Sequence, residues 1–266
     1  MSGPDAAVRR PLARVAEVTV LFWVIKVLST GMGEATSDFL VHKVYPPAAV
    51  IACGLVLAAA LLIQFQAKRY VVWRYWLAVV MVSVFGTMVA DATHVVLGVP
   101  YIISTAVFGT SLAVIFTLWY LSERTLSIHS IVSDRRELFY WATVIATFAL
   151  GTAAGDMTAT TLSLGWLGSS IFFTAVIAIP AVGYRWFGLN SIVAFWFAYI
   201  VTRPMGASWA DWLGLPPRLG GVGLGRGIVA LGLTLVIVVL VAYLAIREGR
   251  DQDPPVGEVL PVLATE

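Results

Sequence analysis

The sequence predicts an all-α integral membrane fold: eight transmembrane helices arranged as four tandem helical hairpins with pseudo-symmetry about the membrane normal. Three observations predict it. Of 266 residues, 59% are hydrophobic and only 12% are charged, against about 25% charged in soluble domains. Uncharged stretches long enough to cross a bilayer (44–67, 92–122, 157–184 and 227–246) alternate with equally apolar stretches that carry one to three charges. One residue pattern also recurs four times. This composition excludes a water-soluble globular domain, a disordered chain and a nucleic-acid binder with a basic face. A single cysteine, Cys53, excludes an internal disulfide framework and a CxxC metal site.

A transmembrane helix needs about 20 mainly apolar residues. Taken in order, the spans are 18–40, 46–66, 73–95, 100–121, 138–160, 166–184, 190–212 and 224–246. Lys and Arg in short loops set the orientation. Twelve fall on one side: Arg9, Arg10, Arg14, Lys68, Arg69, Arg74, Arg124, Arg135, Arg136, Arg185, Arg247 and Arg250. Three fall on the other: Lys43, Arg218 and Arg226. The bias places both termini in the cytoplasm. The first span is too long for a signal-peptide core and contains Lys26 and Glu34, so it is read as a helix that stays. Residues 1–16 form a cytoplasmic arm, and 17–246 form the membrane domain, with repeats at about 17–66, 70–121, 136–184 and 190–246. Residues 247–266 are polar, Pro-containing and acidic, which predicts a disordered cytoplasmic tail.

The four copies align without gaps: FWVIKVLSTGMGEATSD, YWLAVVMVSVFGTMVAD, YWATVIATFALGTAAGD and FWFAYIVTRPMGASWAD. Each opens on Phe or Tyr followed by Trp23, Trp76, Trp141 or Trp196. A Gly follows ten residues after the Trp (Gly33, Gly86, Gly151, Gly206), and an Asp fifteen after it (Asp38, Asp91, Asp156, Asp211). The pattern resembles a bacterial family of inner-membrane proteins built from four tandem two-span repeats of unknown function, each with a characteristic Trp. The resemblance covers about residues 17–246. It implies an eight-span protein of the bacterial cytoplasmic membrane and carries no chemistry with it.

The repeated residues have separate physical readings. Trp concentrates at membrane interfaces, so Trp23, Trp76, Trp141 and Trp196 are expected to anchor the helices there. The glycines are expected at close helix contacts. Each Asp lies about 22 Å of helix rise beyond its Trp, within the hydrocarbon layer, where a carboxylate is costly. Steps of four back from each Asp trace stripes: Lys26, Thr30, Glu34, Asp38; Val79, Ser83, Thr87, Asp91; Val144, Phe148, Thr152, Asp156; and Tyr199, Arg203, Ala207, Asp211. Polar stripes on apolar helices are hard to satisfy against lipid. The first helices of the repeats are therefore expected to form an inner ring around a shared aqueous vestibule, with the second helices outside.

Lys26 and Arg203 lie deep in their spans and are expected to pair with buried carboxylates or carbonyls. Pro204 is expected to break the seventh helix near its middle, as helices do at transport sites. His42 and His94 follow Asp38 and Asp91 by four and three residues, on the same helix face. With Glu34 they suggest a divalent-cation site whose mouth is lined by the two imidazoles.

These residues point to a small membrane transporter or channel for a cation. A divalent metal ion, as substrate, suits the mixed carboxylate and imidazole set best; proton coupling is compatible with the same carboxylates. The partners implied are the lipid bilayer and a small inorganic cation, with no nucleic acid. A receptor or scaffold without flux is the alternative. An intramembrane enzyme is disfavoured, since HExxH, GxSxG and P-loop motifs are absent from the sequence.

Overall fold

The structure, a computed structural model, describes residues 13–252. These residues form nine α-helices: α1 (Val20–Lys43), α2 (Pro46–Phe65), α3 (Val72–Val95), α4 (Tyr101–Glu123), α5 (Asp134–Asp156), α6 (Gly165–Val176), α7 (Ala178–Trp186), α8 (Ser191–Gly214) and α9 (Arg226–Gln252). Helices α6 and α7 run on from one another as a single broken rod. Six rods are long and apolar enough to cross a membrane: α2, α3, α4, α5 with its extension to Thr161, α6–α7, and α9. This marks a multi-pass membrane protein. The remaining two, α1 and α8, have 24 residues each and carry the buried Lys26, Glu34, Arg203 and Asp211.

Local signals explain the starts of the repeats. Thr19 caps α1 by accepting from the Phe22 amide at 3.2 Å. Ser133 caps α5 through the Arg136 amide at 3.4 Å, and Asn190 caps α8 through the Ile192 amide at 2.9 Å. Each supplies an acceptor to an amide that has no partner within the helix.

Helices α1, α3, α5 and α8, the first of each repeat, close into a ring in which each touches the next and α8 returns to α1. The outer helices depart from the expected hairpins. Each second helix leans away from the first helix of its own repeat and packs mainly on the first helix of the next: α2 on α3, α4 on α5, α6 on α8, and α9 on α1. An outer rod covers the groove between two ring helices, so the ring is sealed by neighbours and not by hairpin partners. Burial follows this division. Over an 18-residue stretch, 56% of α3 and 61% of α5 are buried, against 17% of α4 and 11% of α9.

The repeated glycines explain the tightness of the ring. A Cβ on Gly33 would collide with Ser83, one on Gly86 with Phe148, one on Gly151 with Arg203, and one on Gly206 with Thr30. Every obstacle stands seven residues after its own Trp and belongs to the next repeat, and the fourth returns to the first. Each ring helix thus presents a notch that seats one side chain from its neighbour, as expected of small residues at membrane helix contacts.

Two expectations about helix continuity are corrected. Pro204 does not break its helix, because α8 runs unbroken from Ser191 to Gly214 with Pro204 inside. The break falls in the sixth span, at Ile177 between α6 and α7. A proline removes the helical hydrogen bond to the carbonyl four residues back and crowds it, which for Pro180 is that of Val176. Helix α5 reaches the expected end of its span near 160 through a change of pitch: Met157–Thr161 is a π-helical turn. Helix α9 continues to Gln252, past the expected start of the tail at 247. The rest of the tail and residues 1–12 lie outside the described residues.

Candidate functional site

Viewed along the ring axis, equivalent residues of the four repeats form layers. At one end lie the aromatic pairs that open each repeat. Trp76 and Trp141 are 1% exposed and Trp196 5% exposed, so three of the four tryptophans are core residues and not interface anchors. The Trp begins the i, i+3, i+7, i+11 stripe that faces the ring axis, which turns its indole inward. Phe22, Tyr75, Tyr140 and Phe195 pack among these indoles, with Tyr75 and Tyr140 sharing a hydroxyl hydrogen bond of 2.6 Å. Trp196 Nε1 donates to the Leu126 carbonyl at 2.9 Å. Trp23 remains half-buried.

The next layer holds Lys26. Its ammonium lies 4.2 Å from the ring centres of both Phe148 and Tyr199, and its Nζ has no hydrogen-bond partner among the described residues. The expected carboxylate partner is therefore absent there, and cation–π contact replaces it. The ring offers Lys26 no acid in its own layer, where the other residues are Val79, Val144 and Tyr199.

Arg203 does find a carboxylate. Its Nη2 donates to Glu34 Oε2 at 2.8 Å, to Thr152 Oγ1 at 2.6 Å and to Thr87 Oγ1, while Nη1 donates to the Thr30 carbonyl at 2.9 Å. Glu34, Thr87 and Thr152 occupy the same register, eleven residues after Trp23, Trp76 and Trp141. One guanidinium nitrogen thus sits at the convergence of three repeats. The hydroxyls of Ser83 and Thr30 donate across the ring to the carbonyls of Ser29 and Thr202, at 2.6 and 3.2 Å. The predicted polar stripe of Thr30, Ser83, Thr87 and Thr152 is all interior.

Beyond this layer the four repeat aspartates meet. Glu34, Asp38 and Asp91 each bring a carboxylate oxygen within 4.8 Å of the other two, and Glu34 does the same with Asp156 and Asp211. Glu34 is shared by both triplets. Asp156 and Asp211 are buried, and Asp38 and Asp91 are half-buried. Two residues outside the predicted set complete the cluster. Ser37 donates to Asp91 Oδ2 at 2.7 Å, and Arg226 pairs with Asp38 Oδ2 at 2.7 Å. Ser37 lies one position off the stripe, and Arg226 read as a loop charge at the start of the last helix. Their only signal was proximity in sequence to a span end.

The two histidines are not brought into either triplet. His94 stacks on Tyr101 with ring centres 3.7 Å apart, and its Nδ1 lies 2.9 Å from the Val99 carbonyl. His42 is exposed; Arg226 Nη1 lies 3.2 Å from both its ring nitrogens. The His42 Nδ1 also lies 2.7 Å from the Asp38 carbonyl of its own helix.

Hydroxyls tie the turn that follows Asp156 to the neighbouring helices. Thr158, in this π-turn, shares a 2.5 Å hydrogen bond with Ser169 of α6, and Ser208 of α8 donates to Ser169 at 3.1 Å.

No curated protein and no solved structure matches the chain. A family described as a repeat of unknown function matches it four times, at residues 21–70, 74–125, 139–188 and 194–250. The copies start beside the four tryptophans, and each contains one ring helix and one outer rod. By those four matches the chain belongs to the DUF347 repeat family.

Proposed function

We propose that the protein is a carrier for a small cation, with a divalent metal ion such as Mn²⁺ the favoured substrate, in the bacterial cytoplasmic membrane. In this reading all eight rods span the bilayer, the pseudo-fourfold ring axis follows the membrane normal, and both termini with the aromatic layer face the cytoplasm. The carboxylates then open toward the outside.

One observation carries the reading: five carboxylates converge against two guanidiniums, Arg203 and Arg226. Inside a membrane such groups are kept because they are paired or handle charge. Among the described residues three of these carboxylates lack a cation of their own, and a hard divalent ion, which takes oxygen ligands, supplies that charge. Arg203 is then a tethered cation already seated on Glu34, and the arriving ion competes with it for that shared carboxylate.

The axis below the cluster favours a carrier over an open channel. Arg203, Lys26, Phe148, Tyr199 and the indole layer fill it. A fixed positive charge at about 4 Å repels a monovalent cation by about 4 kcal/mol at the effective dielectric of a protein site. Passage therefore requires the ring helices to move. The test is Mn²⁺ uptake into proteoliposomes. We expect uptake by the unaltered protein and none by the Asp38→Asn, Asp91→Asn double variant. Equal uptake by both, or none by either together with no Mn²⁺ binding, overturns the reading.

A further inference from the structure

The segment ahead of the first repeat crosses the aromatic end of the ring as a strap. Ala13 accepts at its carbonyl from the Tyr70 amide at 3.0 Å, and the Arg14 amide donates to the Ile131 carbonyl at 3.0 Å. The Arg14 carbonyl accepts from Gln64 Nε2 at 3.3 Å. Its guanidinium inserts beside α5, where Nη1 donates to Glu137 Oε2 at 3.0 Å and pairs with Asp134. Two adjacent residues thereby tie together the ends of α1, α2, α3 and α5.

Glu137 shows that this contact is built into the sequence. It stands four residues before Trp141, where the other repeats have Thr19, Val72 and Ile192. It is the only charged residue at that register, and its side chain is 0% exposed. Gln64 Nε2 and Trp141 Nε1 donate to its Oε1 at 2.8 and 3.4 Å, and among the described residues its only cation is Arg14. Arg14 and Glu137 each lie just ahead of a family match; these two matches start at residues 21 and 139. A charge present at this register in one copy alone is thus neutralised by a residue of the segment ahead of α1. On the strap's other side lies a groove of about 930 Å³, bordered by Val15, Ala16, Tyr70, Trp76 and Leu244.

We propose that residues 13–19 are a releasable latch: Arg14 on Glu137 holds the aromatic ends of the ring helices together, and the ring opens on that side only when the pair separates. This inference rests on the carrier reading for its purpose, but its test needs no transported ion.

With Cys53 replaced by Ser, a single cysteine is placed at Val79 or Ala90, which are 0% and 4% exposed on opposite halves of α3. Reaction with a charged, membrane-impermeant methanethiosulfonate is timed in lipid nanodiscs. We expect Arg14→Gln and Glu137→Gln each to speed the reaction of Val79→Cys at least tenfold. Ala90→Cys should keep its rate, and Arg14→Lys should fall between. Unchanged Val79→Cys rates in both variants overturn the latch. So does an equal rise at both positions, because that would make Arg14 a general stabiliser of the fold. Mn²⁺ uptake with unchanged rates overturns the latch and leaves the carrier standing; faster Val79→Cys reaction without uptake does the reverse.

Discussion

Arg203 of the fourth repeat and Glu34 of the first are joined at 2.8 Å with side chains 0% and 2% exposed. The pair closes the ring across the junction between the last repeat and the first. Its guanidinium stem fills the notch left by Gly151 of the third repeat. The most buried ion pair among the described residues therefore also follows the symmetry of the ring.

Removing one partner strands the other. Arg203→Gln should lower stability by about 3–5 kcal/mol, the usual cost of breaking a buried pair from one side, read as the midpoint of thermal unfolding in detergent. Glu34→Gln should cost a similar amount. The double variant should cost less than the sum of the two, because neither charge is then left unpaired. If Arg203 competes with the substrate, Arg203→Gln should also bind Mn²⁺ more tightly than the unaltered protein in a calorimetric titration.

The four notches should respond alike. Valine at Gly33, Gly86, Gly151 or Gly206 forces the seated side chain of the next repeat to move, and overpacking of this kind costs about 1–3 kcal/mol. Gly232, on α9, has open space around it. Alanine there should be neutral or slightly stabilising, since Gly is about 1 kcal/mol poorer than Ala in a helix interior. Thermal unfolding of the five variants checks both halves.

Histidine replacement separates the cluster from its neighbours. His94→Phe preserves the stack on Tyr101, and His42→Asn removes an exposed ring that touches Arg226 but no carboxylate of the cluster. Both should leave Mn²⁺ affinity where it was. A clear loss of affinity in either would put an imidazole in the coordination set.

The tryptophans should divide by burial. Trp141→Ala empties a core site and should cost about 3–5 kcal/mol. Trp186 is 69% exposed, and its replacement by Ala should stay within about 0.5 kcal/mol. A membrane-anchor role for Trp141 would instead leave its stability unchanged in detergent and alter only its behaviour in bilayers.

Much of the ring was legible in one dimension. The stripe through Thr30, Ser83, Thr87 and Thr152 was readable because helices place every third or fourth residue on one face, and polar groups on apolar helices have few places to go. The same logic placed Asp38, Asp91, Asp156 and Asp211 together. It also contained the inward turn of Trp76, Trp141 and Trp196, which share that stripe, but the general preference of Trp for interfaces outweighed the periodicity. Ser37 and Arg226 were illegible as partners because their carboxylates, Asp91 and Asp38, lie on other helices.

The sequence by itself determined the helical class, the four copies, the glycine and aspartate registers and the charges on the ring stripes, Lys26, Glu34 and Arg203, because these follow from hydropathy, spacing and the cost of charge in lipid. Only the tertiary structure decided which neighbour each group meets. Arg203 reaches Glu34, Lys26 finds two aromatic rings, and each outer rod crosses to the next repeat's helix. Those choices depend on how four nearly equivalent helices rotate against one another, and a rotation shared by all four copies leaves no trace in the spacing of any one.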